Sequence, residues 1–212
     1  IAKAIPGFLG GSADLGPSNK TELSNMGDFP KGKNIHFGIR EHSMASITNA
    51  MALYGPLMPF SATFFVFSDY LKPSARIAAL SGIQHFFVWT HDSIGVGEDG
   101  PTHQPIEHLS QFRALPNFYV YRPADGNENV KCWQKALSMK NFPSAFVCSR
   151  QNLPLLSAPL KGDVENGGYL LIERENTTVT LMASGSEVGL ALETAQLLER
   201  RGVMANVVSV PC

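Results

Sequence analysis

Short apolar runs alternate with longer stretches of helical periodicity along the first 150 residues of the chain. The apolar runs predict strands at residues 7–11, 35–39, 57–63, 84–89, 118–121 and 144–149. The stretches between them predict helices at residues 40–54, 66–80, 106–115 and 127–139. Because strands joined through helices pair in parallel, these elements predict an α/β fold with a parallel sheet and helices on both faces. Ligands in such folds bind beyond the carboxyl ends of the strands.

A second segment of the same kind follows a stretch that is rich in Pro, Ser and Gly. Residues 177–184 and 203–208 predict strands on either side of an amphipathic helix at 187–201. One βαβ unit buries little apolar surface, so we expect this segment to be mobile or to need a partner. The expected organisation is a domain at 1–155, a linker at 156–175 and the start of a second α/β domain at 176–212.

Composition argues against several classes of partner. The formal net charge is −1 and no basic run occurs, so we expect neither nucleic-acid nor membrane-surface binding. No apolar stretch approaches the ~20 residues that a transmembrane helix needs. The cysteines, Cys132, Cys148 and Cys212, are odd in number and far apart, which indicates a reducing, cytoplasmic compartment. The chain opens on Ile-Ala-Lys-Ala-Ile-Pro, and we expect it to be part of a longer protein.

The segment from Thr90 to Pro105 is the strongest candidate for a functional loop. It follows a buried strand and has no apolar pattern of its own. Most connections in compact domains are only ~4–6 residues long. Long loops that persist between regular elements commonly carry binding or catalytic residues.

The glycines of this loop, Gly95, Gly97 and Gly100, spell G-x-G-x-x-G, a pattern of dinucleotide-binding turns. Several residues separate them from the strand, however, and Glu98 and Asp99 would repel a diphosphate. The acid expected ~20 residues downstream is missing or late. The nearest residues for a ribose or a 2′-phosphate are Asp125 and Arg122.

His91, Asp99 and His103 are all metal-ligand types, so a metal site in this loop is an alternative. Their spacing matches no compact zinc pattern. A solvated loop that uses its glycines for turns is the simplest interpretation.

The loop from His91 to Pro105, His-Asp-Ser-Ile-Gly-Val-Gly-Glu-Asp-Gly-Pro-Thr-His-Gln-Pro, resembles the substrate loop of the transketolase family, in its pyrimidine-binding domain. The carboxy-terminal βαβ resembles the start of the family's last domain. Further blocks that resemble the family, in the same order, are Gly10–Leu15, Gly38–His42, Ala62–Tyr70 and Ser149–Pro154. These blocks fall at the predicted carboxyl ends of strands, where periodicity alone places a ligand site.

The resemblance implies a thiamine-diphosphate-binding fold and an enzyme of the pentose phosphate pathway. Such an enzyme transfers a two-carbon ketol unit from a ketose phosphate to an aldose phosphate, with thiamine diphosphate and Mg²⁺, as a homodimer. Sister thiamine enzymes, such as deoxyxylulose phosphate synthase or a keto-acid dehydrogenase beta subunit, remain alternatives. A further alternative is that the chain is a non-catalytic fragment.

The resemblance also implies the cofactor contacts. Glu41 would hydrogen-bond the aminopyrimidine ring as a catalytic residue, and three aromatic side chains would form the pocket for that ring. From position alone, Glu41 could simply stabilise a helix dipole, the aromatic residues could be core, and Asp14 could cap a turn. The implied cofactor-binding residues are Asp14, Leu15, Glu41, Phe64, Phe67 and Tyr70.

For the substrate, the resemblance assigns His103 to the donor carbonyl as a second catalytic residue and Asp99 to the 2-hydroxyl. It assigns His91 to hydroxyls and phosphate, and Arg150 with Ser18 to a sugar phosphate. The family holds the diphosphate and Mg²⁺ with a Gly-Asp-Gly motif in a preceding domain, and that motif does not occur here. We therefore expect no metal ligands in this chain. We also expect the chain to supply only half of an active site and to be inactive alone.

Overall fold

The computed structural model describes residues 1–156 and 164–212, so part of the predicted linker lies outside the described residues. The strands β1 to β9 are Phe8–Ser12, Asn34–His36, Met58–Phe64, Phe86–Thr90, Tyr119–Tyr121, Ser144–Val147, Tyr169–Ile172, Val179–Ala183 and Ala205–Ser209. The helices α1 to α6 are Gly16–Asn19, Glu41–Leu53, Ser68–Leu80, His108–Arg113, Gly126–Ser138 and Glu187–Glu199. Single 3₁₀ turns occupy Phe65–Phe67, Gly97–Asp99, Pro101–His103 and Val164–Asn166.

The six-stranded sheet has the order β2-β1-β3-β4-β6-β5. The registers from β2 through β6 are all parallel, for example Ser12 beside Ala62 and Phe64 beside Thr90. This confirms the predicted parallel α/β sheet. Because the strands run the same way, the ends of β1, β3 and β4 meet at one edge, where the long loop begins.

Side chains alternate between the two faces of the sheet along each strand. Almost every residue of β1, β3 and β4 is buried, so both faces of the sheet are covered. Phe87 and Trp89 of β4 face the core formed with α2 and α3. On the other face, Phe86 of β4 and Phe60 of β3 both pack near Phe8. Strands covered on both faces read as continuous apolar runs rather than as alternating ones, which is why the sequence pattern identified them.

Two glycines in β1 allow its neighbours to approach closely. A Cβ atom on Gly11 would lie 1.7 Å from the carbonyl oxygen of Ile35 in β2. A Cβ atom on Gly10 would lie 2.1 Å from the carbonyl oxygen of Phe60 in β3. The Gly10-Gly11 pair is therefore required by the packing of the central strands, and this packing positions the residues that follow β1.

The chain divides into two compact units, residues 1–120 with 139–150 and residues 121–138 with 151–212. The second unit contains α5, which lies within the segment that the sequence assigns to the first domain. Its sheet has the order β7-β9-β8, and β8 and β9 pair in parallel around α6. The predicted βαβ is therefore present. Strand β7 pairs antiparallel to β9 and lies inside the predicted linker.

A buried carboxylate joins parts of the second unit that are distant in sequence. Glu128 of α5 is fully buried, and its Oε1 accepts hydrogen bonds from Tyr169 Oη at 2.8 Å and Ser209 Oγ at 2.5 Å. Its Oε2 accepts one from the backbone N–H of Ala124 at 2.5 Å. Burial, followed by the hydrogen bond to Glu128, raises the pKa of Tyr169, so this hydroxyl stays protonated and continues to donate.

Across residues 1–156 and 164–212, every helix is too short or too polar to span a lipid bilayer.

Candidate active site

A pocket of about 520 Å³ opens where β1 and β3 end and where α2 and α3 begin. It brings together five of the six residues that the sequence assigns to the cofactor. Ile39, which the sequence places in a strand, also lines the pocket because β2 ends earlier, at His36. The lining residues are Ala13, Asp14, Leu15, Ile39, Glu41, Phe67 and Tyr70.

Glu41 is the buried acidic residue of this pocket. It occupies the first turn of α2, and only 8% of its surface is exposed. The positive end of the helix dipole favours a carboxylate there, so the simple structural interpretation also holds. A carboxyl group set among apolar side chains can in addition bind a ring nitrogen or N–H of a ligand.

Asp14 does not cap the turn that follows it. Helix α1 begins after Leu15, and no side chain caps its amino terminus. Asp14 instead adopts a left-handed backbone conformation with φ of 62°, which places it in the pocket wall. Non-glycine residues rarely adopt this conformation, and such residues are enriched at functional sites.

The aromatic residues after β3 divide between the pocket and the core. Phe64 stacks on Phe67 with ring centroids 5.9 Å apart, and Phe67 stacks on Tyr70 at 6.1 Å. Exposure rises along this row, because Phe64 is buried, Phe67 is half-buried and Tyr70 is 64% exposed. Phe65 turns the other way and packs on Trp89 in the core. The 3₁₀ turn at Phe65–Phe67 produces this division.

His103 lies beside this aromatic row. It sits in the 3₁₀ turn Pro101–His103, and its ring meets the rings of Phe67 and Phe64 edge-on at 5.2 Å and 6.1 Å. Its Nδ1 is 2.8 Å from the hydroxyl of Thr102. The long loop therefore folds back onto Phe64 and Phe67. This places His103, one of the two predicted catalytic residues, beside the aromatic row.

His91 is the most constrained residue of the loop. It has a left-handed backbone conformation with φ of 61°, and its ring stacks on Phe64 with centroids 3.7 Å apart. Burial lowers the pKa of His91. Asp99 opposes this shift, whereas Arg150 and His103 add to it. Asp99, Arg150 and His103 therefore lie near enough to His91 to act on its charge, and they share an electrostatic environment around it.

Arg150 and Asp99 are exposed at the rim of this environment. The Arg150 guanidinium carbon would lie 3.6 Å from a Cβ atom built on Gly97, so Arg150 reaches across the glycine-rich turn. Gly97 has φ of 77°, which a side chain would disfavour. Ser18 lies exposed on α1, and no contact described for it links it to Arg150.

The sequence analysis missed the buried polar residues that support His91. Asn19 ends α1 and is 4% exposed, and it contacts both Ser12 and Thr90. A single asparagine in a polar turn belongs to no periodic pattern, so the sequence does not show whether its side chain is buried or exposed to solvent. Helix α1 itself, Gly-Pro-Ser-Asn, was missed for the same reason.

The dinucleotide interpretation is wrong for this loop. Its glycines lie in and around two 3₁₀ turns well after β4, not in a tight turn between the strand and a helix. Arg122 pairs with Glu187. Asp125 accepts hydrogen bonds from the backbone N–H groups of Glu128 and Leu156. Both residues thus have partners within the second unit.

The predicted metal trio does not converge either. In the part of the chain that the structure describes, the group whose ligand atoms lie within 4.8 Å of one another is Asp69, Glu107 and His108. Asp69 faces Nε2 of His108 at 3.2 Å, whereas Glu107 faces Nδ1 at 3.8 Å. One ion can bind only one of these nitrogens, so we assign no metal site to this group.

Comparisons with known proteins agree with this site. Residues 1–155 match the family described as transketolase, pyrimidine binding domain. Residues 167–212 match the transketolase-like C-terminal domain. The transketolase of Bacillus subtilis strain 168 is 50% identical over 220 residues, which cover 100% of this chain and 33% of that protein. The chain thus spans about a third of the length of the curated relatives it matches.

Solved structures give the same result. A crystal structure of transketolase from Campylobacter jejuni superposes with a TM-score of 0.97 at 69% identity, over 100% of this chain and 33% of that one. A Pichia stipitis transketolase in complex with sedoheptulose 7-phosphate superposes with a TM-score of 0.95 at 42% identity, over the same shares. The chain therefore belongs to the transketolase family.

Proposed function

We propose that this chain forms part of a transketolase, which uses thiamine diphosphate to move a two-carbon ketol unit from a ketose phosphate to an aldose phosphate. The observation that carries the proposal is the pocket in which the buried carboxyl group of Glu41 lies beside Phe67 and Tyr70. An apolar, aromatic pocket with a buried acidic group suits a flat heteroaromatic ring with hydrogen-bonding nitrogens. The aminopyrimidine of thiamine diphosphate is such a ring.

When bound, the cofactor supplies a nucleophilic carbon that attacks the ketose carbonyl. The residues of this chain position the cofactor and the substrate and hold or donate protons. Glu41 holds a proton against a ring nitrogen, and Phe64, Phe67 and Tyr70 orient the ring and exclude water. Asp14 and Leu15 complete the wall of the pocket. His103, beside the aromatic row, donates to the substrate carbonyl oxygen as negative charge develops there.

The sugar phosphate binds to the substrate loop. Arg150 offers a planar fork of N–H donors to the phosphate, and Ser18 adds a hydroxyl. Asp99 accepts a hydrogen bond from the 2-hydroxyl of the donor, and His91 contacts hydroxyls and the phosphate. The shared electrostatic environment of His91, Asp99, His103 and Arg150 supports this assignment.

The diphosphate and its Mg²⁺ are held outside these 212 residues. The sequence contains no Gly-Asp-Gly motif and spans a third of its relatives, which supports this division. Residues 1–155 then act as the pyrimidine-binding domain, 156–175 as a linker and 176–212 as the start of the next α/β domain. The chain alone is expected to be inactive.

The complete protein acts in the pentose phosphate pathway as a cytoplasmic homodimer. Exposed apolar side chains on α2 and α3, which include Ile47, Leu53, Ile77 and Leu80, support a partner surface on these helices. In the part of the chain that the structure describes, Cys132, Cys148 and Cys212 are thiols rather than disulfide-bonded, which agrees with a reducing compartment.

The test compares this chain alone with a chimera in which it replaces the matching third of the Campylobacter jejuni transketolase. Ketol transfer from a ketopentose phosphate to an aldopentose phosphate is measured with thiamine diphosphate and Mg²⁺. Activity in the chimera but not in the chain alone is the expected result. A folded, cofactor-binding chimera that prefers pyruvate to a ketose would instead indicate a sister thiamine enzyme. Activity of the chain alone would contradict the division of the site.

A further inference from the structure

Helix α3 begins at the pocket and α4 follows the long loop, and four polar side chains join the two helices. We call this group, Asp69 and Lys72 of α3 with His108 and Gln111 of α4, the clasp. Asp69 Oδ1 accepts a hydrogen bond from Gln111 Nε2 at 3.1 Å, and Asp69 Oδ2 lies 3.2 Å from His108 Nε2. Each oxygen of one carboxylate therefore faces a different residue of α4.

The partners of the Gln111 amide decide its orientation. Lys72 Nζ donates to Gln111 Oε1 at 2.7 Å, and an ammonium group can only donate. The carboxylate of Asp69 can only accept, so the amide nitrogen must face it. Residues three apart share one face of a helix, so Asp69 and Lys72 form one row of the clasp and His108 and Gln111 form the other.

The clasp lies where the long loop enters α4. His108 is the first residue of α4 and follows shortly after His103, whereas Phe67 immediately precedes α3 and Asp69 lies in its first turn. The ring of His103 is 5.2 Å from the ring of Phe67. The end of the loop is therefore joined to the start of α3 at two places, by His103 on the aromatic row and by His108 at the clasp.

The two sides of the clasp are not held equally. Helix α3 has 13 residues and is fixed by the core, in which Leu71 and Ala75 are fully buried. Helix α4 has six residues and is anchored one turn later, where Phe112 packs on Trp89 at 4.5 Å. The residues 97–99 and 101–102 before it are exposed. Loss of the clasp should therefore release the end of the loop and leave the pocket in place.

We infer that Asp69 is a positioning residue, which holds the start of α4 through His108 and Gln111 and thereby keeps His103 beside Phe67. Its own side chain is 48% exposed, so its removal leaves no buried cavity. The effect on ketol transfer rests on the proposed function, because that proposal assigns His103 to the substrate carbonyl. The effect on the position of His103 does not depend on it.

The first experiment is ¹H–¹³C NMR of the histidine-labelled chain at about pH 8.5, where free histidine is neutral. The ring signals of His103 are assigned with His103→Gln. Ring currents of Phe67 and Phe64 should displace them from the values of free histidine. Asp69→Ala should move them towards those values, whereas the signals of His91, at the other end of the loop, should stay unchanged.

Glu199→Ala is the matched control, because the Glu199 side chain is 44% exposed and pairs with Arg174 at 3.1 Å in the second unit. It should not affect His103. Gln111→Ala removes one of the two contacts of Asp69, so it should shift the His103 signals the same way by less. This variant keeps the test available if Asp69→Ala does not fold. Unchanged His103 signals in the folded variant, or an equal displacement of the His91 signals, would overturn the inference.

The second readout is kinetic and uses the chimera. Asp69→Ala should lower kcat about tenfold, with little change in thiamine diphosphate affinity, because a misplaced His103 serves the reacting oxygen poorly. In a chimera that carries His103→Ala, Asp69→Ala should lower kcat no further, because the residue that it positions is absent.

A merely structural role would give the same loss of kcat in both backgrounds, or a joint loss of kcat and cofactor affinity, and either result would contradict the inference. An inactive chimera in which Asp69→Ala still displaces the His103 signals would contradict the proposed function and leave the role of the clasp standing.

Discussion

The hydroxyl of Tyr169 donates to the fully buried carboxylate of Glu128, 2.8 Å away, and thereby ties β7 to α5. Two further donors, from Ser209 and the Ala124 backbone, converge on the same carboxylate. Four polar groups of the second unit thus satisfy one another away from water. Removal of the Glu128 carboxyl group leaves the three donors buried without this acceptor.

Glu128→Ala should therefore destabilise the chain by roughly 3 kcal/mol, because it strands three buried donors. The measurement is urea unfolding followed by circular dichroism. Glu193→Ala is the control, because Glu193 is an exposed helical residue of α6 in the same unit, and it should change the free energy of unfolding by less than about 0.5 kcal/mol. Equal effects of the two substitutions would mean that the buried network contributes nothing.

His85 should make the chain less stable in acid. Its Nδ1 lies 2.7 Å from Asn49 Oδ1 and its Nε2 lies 2.7 Å from Ser61 Oγ, so the neutral ring is satisfied. Complete burial lowers the pKa of His85 well below its ordinary value of 6.5. Above that value both the folded and unfolded states are neutral. Below it only the unfolded chain binds the proton, so stability falls by up to about 1.4 kcal/mol per pH unit.

Two measurements check this expectation. The free energy of unfolding should be lower at about pH 5.5 than at about pH 7.5, and the NMR signals of the His85 ring should not titrate across that range. A His85 ring that titrates near its ordinary pKa would refute the explanation.

Glu41→Gln should reduce ketol transfer by the chimera at least about a hundredfold, because an amide cannot exchange a proton with the ring nitrogen. Steady-state turnover and thiamine diphosphate affinity are measured separately, and affinity should fall much less than turnover. Glu193→Gln should change neither. Turnover close to that of the unsubstituted chimera would remove Glu41 from the chemistry.

Asp99→Ala should relax the preference for one configuration at C2 of the donor, since it removes an acceptor for the 2-hydroxyl. The value of kcat/KM for the preferred epimer should fall about tenfold, with little change for the other epimer or for cofactor binding. Asp99→Asn, which keeps an oxygen acceptor, should retain part of the preference. Equal losses for both epimers would assign Asp99 to loop structure instead.

Sequence reasoning located the parallel sheet closely, because its strands are buried on both faces and therefore appear as apolar runs. It missed β7, a four-residue strand just after Gly167-Gly168, where the glycines favoured a linker. Tyr169-Leu-Leu-Ile is an apolar run, and that signal was available.

The candidate site was less accessible to sequence reasoning than the fold. Phe64, Phe65 and Phe67 are chemically alike, and only the 3₁₀ turn after β3 sends Phe65 to the core and the others to the pocket side. Their separation in the sequence analysis rested on the resemblance. Asn19 gave no signal, because its importance comes from contacts with Ser12 and Thr90 that are distant in sequence.

The division of the chain into two interleaved units affects how it folds during synthesis. Residues 121–138, which belong to the second unit, emerge before residues 139–150, which complete the first. The hydrogen bonds from Tyr169 and Ser209 to Glu128 of α5 can then form only after β7 and β9 have been synthesised. Until that point Glu128 and Cys132, which are buried in the folded chain, remain exposed. The second unit can therefore fold to completion only after β9 has been made, and its assembly depends on late contacts of long sequence separation, which are slow to form.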